Sequence, residues 1–306
     1  MNSKLIFTLS LLSIIVLWGT GCNTTDPTRT THELPPSNLA EHSWEEILTA
    51  PTKIDSFLVL NTGSVKVPRK GMLNEDKLPT NHELPEQFWV DVFVFLFHHS
   101  EKGWYMIDSG LDSSFQKKGN IRGIFAGNYI KETRQKNGQN IQAQLKQLNI
   151  QPQGIFFTHL HGDHTAGLPE LSTSITKYSG ANEEYHDIPF VYNPNHLSKK
   201  DTIMVMHHPK NISIPPFRNL LDIFGDGSFL GISTPGHSSG HLSYLLITKE
   251  GPVLLTGDAS HTKYGFQQGI EPGWTDNRKS AESSLAQLKE FSRLHPDVQV
   301  IYGHER

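Results

Sequence analysis

Apolar runs of strand length recur along the chain, separated by turn-forming residues. Residues 57–60, 92–97 and 104–107 read as β-strands, and the polar stretch His98-His99-Ser100-Glu101-Lys102-Gly103 between the last two suits a hairpin loop. These runs are continuous rather than alternating, which predicts sheets covered on both faces. Ile141, Leu145 and Leu148 recur at helical spacing and stop at Asn149, with Pro152 beyond; Ala281, Leu285, Leu288 and Phe291 mark a second helix near the C-terminus. Four more runs, residues 154–158, 229–233, 253–256 and 298–302, read as short strands, each leading into a polar segment that carries His or Asp. Strands and helices mixed in this way predict an α/β class and a layered α/β/β/α sandwich with polar groups gathered at strand ends. No Pro- or Ser-rich linker and no fixed-period repeat divides the pattern, so residues 44–306 are expected as one domain.

The N-terminus follows a different pattern. Lys4 precedes an apolar run over residues 5–18, broken by Thr8, Ser10 and Ser13, and Gly19, Thr20 and Gly21 then lead to Cys22. This is the layout of a secretory signal peptide over residues 1–21, the run being short for a membrane-spanning helix. Gly19-Thr20-Gly21-Cys22 resembles a bacterial lipoprotein processing site, with Gly19 where that family usually has Leu. The resemblance implies export, lipidation of Cys22 and anchoring on the periplasmic or cell-surface side of a membrane. Cys22 is the only cysteine, so its lipidation leaves no thiol for a disulfide or a metal. Residues 22–43, rich in Thr, Pro and Asp with no apolar period, are expected as a solvated tether, with folding starting near Trp44.

Charge excludes one class of partner. A net charge of -4, from 27 basic and 31 acidic residues without a long block of either sign, argues against nucleic-acid binding. Histidine stands out instead: 17 of them beside a single cysteine point to imidazole as the ligand if metal is bound.

The densest chemistry is Thr158-His159-Leu160-His161-Gly162-Asp163-His164, directly after the strand at residues 154–158. Residues two apart in an extended segment point the same way, so His159 and His161 can address one point, and after the turn at Gly162 Asp163 and His164 can face a second. Three strand ends add what a two-metal centre would lack: His237, Asp258 and His304. A carboxylate can bridge two cations whereas a neutral imidazole binds one, which makes Asp258 the natural bridge. Gly236, Gly257 and Gly303 each precede one of these residues and would let the backbone approach closely. Among other histidines, His98, His99, His207 and His208 read as solvated loop residues, while His241 is near enough to His237 to orient a ligand. Phe125, Tyr264 and Trp274 are candidates for a pocket lining, against a competing reading as core.

The order HxHxDH, His, Asp, His resembles the metallo-β-lactamase superfamily over residues 57–304. Ile107-Asp108-Ser109-Gly110 is similar to that family's strand-end Asp motif, with a plain turn former as the competing reading of Asp108. The resemblance implies a four-layer sandwich, one ion on His159, His161 and His237, another on Asp163, His164 and His304, and Asp258 shared. Within the superfamily the chain is most similar to the N-acyl homoserine lactonases: residues 119–129, containing Gly123-Ile124-Phe125, resemble their substrate-covering segment, and residues 254–263 their segment around the bridging Asp. His261 stands where those lactonases carry a Tyr that hydrogen-bonds the substrate carbonyl, a bond imidazole can also donate.

The expected activity is hydrolysis by a hydroxide held between two divalent ions, zinc being the default for nitrogen and oxygen ligands. The substrate expected is a small lactone, with His261 on the carbonyl side and Asp163 or Asp258 passing a proton to the leaving alkoxide. A phosphodiesterase or thioesterase is compatible with the same centre. A non-enzymatic zinc-binding lipoprotein is the alternative from another class; its mark is a His-rich acidic tract, whereas here the histidines are spread over distant strand ends.

Overall fold

The computed structural model describes residues 26–123, 125–186, 194–207 and 211–306. The signal segment, Cys22, Ile124 and His208 lie outside the described residues. The longest apolar run falls inside β3 (Gln87–His99), and its side chains divide between two cores. Phe93, Phe95 and Phe97 point one way; Val94 and Leu96 point the other, both fully buried. This is how a continuous run is spent when both faces of a sheet are covered.

One half of the sheet runs in the order β1 (Thr28–Glu33), β8 (Thr202–His207), β7 (Thr176–Ser179), β6 (Gly154–Phe156), β4 (Gly103–Ile107), β3, β2 (Ile54–Pro68). The short β5 (Glu132–Arg134) also pairs with β2. The other half comprises β12 (Leu242–Thr248), β11 (Phe229–Ser233), β10 (Phe217–Asp222) and β9 (Ile212–Ile214), with β13 (Gly251–Leu255) and β14 (Gln299–Ile301) on the free side of β12. A single pair, Thr248 with Ile54, joins the halves. Around that seam the sheet folds over, so that Phe95 and Phe97 of one half pack with Phe229, Tyr244 and Leu255 of the other.

The outer faces are covered by helices. Ile141 and Leu145 of α4 (Ile141–Leu148) pack on Val94, Leu96 and Met106. On the opposite side Leu285, Leu288 and Phe291 of α7 (Arg278–Leu294), with Trp44 and Ile47 of α1 (Trp44–Thr49), cover Leu230, Ile232 and Leu245. Helix, sheet, sheet, helix is the four-layer α/β/β/α arrangement. The remaining helices are short: α2 (Arg69–Met72), α3 (Ala126–Tyr129), α5 (Gly162–Thr165) and α6 (Lys263–Gln268). Among the described residues no helix is long and apolar enough to cross a membrane.

Three expectations need correction. The tether over residues 22–43 ends early, because β1 pairs in parallel with β8 from Thr28 opposite Thr202 to Glu33 opposite His207, and Leu34 and Leu39 are buried. Nearly every β1 side chain is exposed, so main-chain bonding holds this edge strand and no apolar period marks it. His98 and His99 are not solvated loop residues; they extend β3, His99 paired with Ile54 and wholly buried with its Nε2 2.9 Å from the Asp226 carboxylate, His98 2.7 Å from that of Asp55. His207 likewise ends β8, although its side chain is exposed. Leu148 is 42% exposed, the last turn of α4 being closed by Asn149, whose left-handed backbone lets its N–H reach the carbonyls of Leu145 and Lys146.

Candidate metal centre

All seven residues expected at the centre converge at one edge of the seam. His159 and His161 follow β6, Asp163 and His164 sit in α5, His237 follows β11, Asp258 follows β13 and His304 follows β14. Side-chain donors of His159, His161 and His237 fall within 4.8 Å of one another, as do those of Asp163, His164 and His304. Asp258 lies between the two sets: Oδ2 is 3.4 Å from both His164 Nε2 and His237 Nε2, and Oδ1 is 3.4 Å from His304 Nε2.

Three of the rings are aimed from behind. His237 Nδ1–H donates to the Trp274 carbonyl at 2.9 Å and His304 Nδ1–H to the Asp91 carbonyl at 2.8 Å, which leaves both Nε2 lone pairs facing the cluster. His164 Nδ1 is 2.8 Å from Asp108 Oδ2, and Asp108 also accepts from the Thr158 N–H and hydroxyl, both at 2.8 Å. Asp108 is therefore more than a turn former. Its φ of +59° turns the chain sharply after β4 and delivers a buried carboxylate behind His164. His241 reaches Asp258. Its Nδ1–H donates to Thr234 Oγ1 and its Nε2 accepts the Asp258 N–H at 2.9 Å, so it holds the Asp258 main chain.

Asp108 and His241 are side chains that the sequence singles out, whereas the Trp274 and Asp91 carbonyls escape it because a main-chain carbonyl carries no residue signature. Glycine supplies the remaining room. A Cβ on Gly303 would collide with Asp258 Oδ1, and one on Gly236, at φ +138°, would strike the backbone of Ala281 at the start of α7.

Electrostatics follow the geometry. Burial and the neighbouring imidazoles His164 and His161 push His159 well below the usual imidazole range. Burial takes His161 down to about 4 and His241 down to about 3. At His164 burial is outweighed by the carboxylates of Asp108, Asp258 and Asp163, which hold it well above the ordinary value. Asp258 is held well below the carboxylate range, its burial overcome by His261, His304 and His164.

Four buried side-chain atoms among the described residues have no hydrogen-bond partner, and three belong to this cluster: His159 Nε2, His164 Nε2 and Asp258 Oδ1. Buried polar atoms are normally satisfied, so three orphans facing one another fit a divalent cation as the missing partner.

His261 sits at the rim of the cluster, Nε2 3.1 Å from Asp258 Oδ2 and Nδ1 3.1 Å from the Met72 carbonyl. His161, Asp163, His237, Asp258 and His304 form the floor of a cavity of about 760 Å³. Its walls are largely apolar, with Val65, Val67, Met72 and Val90 on one side and Ile121, Tyr129 and Trp274 nearer the mouth. Phe125 is also at the mouth and 49% exposed, whereas Tyr264 packs against the core below.

Residues 88–304 match the profile described as Metallo-beta-lactamase superfamily. The chain belongs to that superfamily. Among relatives of this metallo-β-lactamase superfamily hydrolase, the N-acyl homoserine lactonase AttM of Azorhizobium caulinodans is 26% identical over 255 residues, 81% of this chain and 92% of that protein. An N-acyl homoserine lactonase from a Bacillus species is 29% identical over 229 residues, 71% of this chain and 82% of that one. In fold, this superfamily member is similar to the solved N-acyl homoserine lactone hydrolase with the product N-hexanoyl-L-homoserine bound at its catalytic metal center. That match has 21% identity and a TM-score of 0.59, covering 83% of this chain and 94% of that chain.

Proposed function

We propose that the protein opens lactone rings of amphiphilic substrates such as N-acyl homoserine lactones, with two divalent ions held by the seven cluster residues. The observation that carries this reading is a largely apolar-walled cavity floored by His161, Asp163, His237, Asp258 and His304, members of the same cluster whose His159, His164 and Asp258 carry orphaned atoms. An acyl chain suits the aliphatic and aromatic walls, and a lactone carbonyl suits the floor. Relatives that bear the name N-acyl homoserine lactonase support the substrate class.

His159, His161 and His237 would hold one ion, Asp163, His164 and His304 the other, and Asp258 both. Zinc suits this set of nitrogen and oxygen donors. Bound there, such ions supply a Lewis acid for the carbonyl and bring the pKa of water toward neutrality. The chain's own groups do the rest. Asp163 and Asp258 both line the cavity, but the Asp163 side chain is 23% exposed and that of Asp258 4% exposed and crowded by imidazoles, so Asp163 is better placed to carry a proton to the leaving alkoxide. His261 lines the cavity, which in this reading lets it face the substrate carbonyl. With Nδ1–H given to Met72, donation from Nε2 requires the doubly protonated ring. Export as a Cys22-anchored lipoprotein belongs to the same reading, and loss of labelled fatty acid incorporation in Cys22→Ser tests it.

The decisive experiment is a chelator-sensitive hydrolysis panel of acyl homoserine lactones, simple lactones, a phosphodiester and a thioester, run on wild type, His261→Ala and Asp258→Ala. Lactone turnover should dominate. His261→Ala should lose about tenfold to a thousandfold in kcat with metal retained, as for other oxyanion donors, and Asp258→Ala should lose metal and activity together. Phosphodiester turnover with inert lactones would overturn the substrate assignment, and inertness toward every substrate would return the chain to the zinc-binding alternative.

A further inference from the structure

One buried carboxylate beside the cluster has no part in the chemistry above. Glu183 is 1% exposed and follows β7. Its Oε1 accepts the Leu160 N–H at 2.9 Å, and its Oε2 accepts the Ser238 hydroxyl at 2.7 Å and the Gly240 N–H at 3.0 Å. Leu160 is the residue between His159 and His161, Ser238 follows His237, and Gly240 precedes His241. A single side chain therefore ties together the two loops that carry the three-imidazole set.

Two other contacts join the same loops, the Leu242 N–H to the Thr158 carbonyl at 2.8 Å and His237 Nε2 to His161 Nδ1 at 2.9 Å, but neither satisfies the Leu160 or Gly240 N–H. The segment that carries Glu183 packs directly on the second loop: a Cβ on Gly180 would strike the Gly240 carbonyl, and one on Gly240 would strike the Glu183 N and the Ala181 carbonyl. With Glu183 removed, the Leu160 and Gly240 N–H groups would be buried without an acceptor, and each loop would relax to find one. Among the described residues no Lys or Arg side chain pairs with the carboxylate, and burial raises its pKa to about 7. The Arg29 guanidinium of β1 donates instead to the Glu183 main-chain carbonyl, tying the edge strand to the same point.

We propose that Glu183 is a positioning residue which sets the spacing of the His159, His161 and His237 donors, and with it the affinity of that set for a divalent cation. The inference rests on the assignment of those three histidines as ligands. Its effect should fall on one of the two sites, because the Asp163, His164 and His304 set is aimed by other partners, Asp108 and the Asp91 carbonyl among them.

The test is titration of metal-free protein with Co2+, followed by calorimetry and by visible absorption, for wild type, Glu183→Gln, Glu183→Ala and His237→Ala. In Glu183→Gln the amide oxygen can still accept from Leu160, but its NH2 would face the Gly240 N–H, donor against donor, so one loop is released while the fold is kept. His237→Ala identifies the calorimetric step and absorption band that belong to the three-imidazole site. Glu183→Gln should weaken that step by about tenfold to a hundredfold and shift its band, leaving the other step close to wild type and the metal-free protein cooperatively folded. Glu183→Ala should weaken it further. Wild-type affinity at both sites in Glu183→Gln would overturn the proposal, as would equal weakening of both sites together with lowered apo-protein stability. If His237→Ala leaves Co2+ binding untouched, the ligand assignment itself fails, an outcome separable from failure of the Glu183 role.

Discussion

Asp108→Asn isolates the task of the carboxylate behind His164. Asparagine tolerates the left-handed backbone at φ +59°, so the turn after β4 should survive. In one amide orientation the oxygen keeps the Thr158 N–H, and the NH2 replaces Oδ2 beside the Thr158 hydroxyl and His164 Nδ1. The hydroxyl can turn to accept. The imidazole must move its proton to Nε2, the atom left unpartnered in the cluster, where it blocks the lone pair a cation needs. In the flipped orientation the oxygen serves His164, but the NH2 then confronts the Thr158 N–H and leaves a buried donor unsatisfied, at about 1–3 kcal/mol. Loss of a group that orients a ligand weakens metal binding by about 10–100-fold, roughly 1.4–2.7 kcal/mol, so neither orientation escapes a cost of that order. Competition with a chromophoric chelator should show one of the two ions weakened by this factor, with lactone turnover restored as free metal is raised. Wild-type affinity for both ions would refute the reasoning and return Asp108 to the role of turn former.

Three further outcomes follow from the same geometry. The His196 ring is buried between Thr165 Oγ1 and Asn120 Oδ1, and burial lowers its pKa to about 3, so as pH falls below about 6.5 the unfolded chain takes up a proton the native ring refuses. Stability present above that pH is lost on acidification, by about 1.4 kcal/mol between pH 7.5 and 5.5; urea unfolding at both pH values should show a decline smaller by that amount in His196→Gln, and parallel declines would count against it. Gly303→Ala should displace Asp258 and release metal, read by elemental analysis, and full metal content with full activity would show that the site yields more easily than its packing implies. Trp274→Ala should raise KM about tenfold for long-chain lactones and little for short ones, since its carbonyl still holds His237; equal shifts for both would remove the ring from the acyl path.

The parts legible in the sequence were those written in side chains at short spacing. His159, His161, Asp163 and His164 fall within six positions, and His237, Asp258 and His304 each end an apolar run, so strand-end clustering could be read before any coordinates. The run at residues 92–97 gave away a sheet covered on both faces because all its residues are apolar. What stayed hidden works through the main chain or over long sequence separation. The carbonyls of Asp91, Trp274 and Met72 aim three imidazoles whatever their side chains are, and Glu183 is one acidic residue among many until the fold brings Leu160 and Gly240 to it. β1 was missed for the same reason, being held by backbone pairing with its side chains in water.

That edge strand also fixes a leash. With the lipid on Cys22, as proposed, only the five residues 23–27 separate the anchor from Thr28, a reach of about 20 Å from Cys22 to Thr28 when fully extended. A folded body held on so short a line cannot roam the compartment. It stays within the layer of water next to the bilayer, where acyl-bearing molecules gather as they partition into and out of the lipid. The concentration that governs turnover is then the interfacial one, and a KM measured on the detached domain in bulk buffer would understate how nearly saturated the anchored enzyme runs.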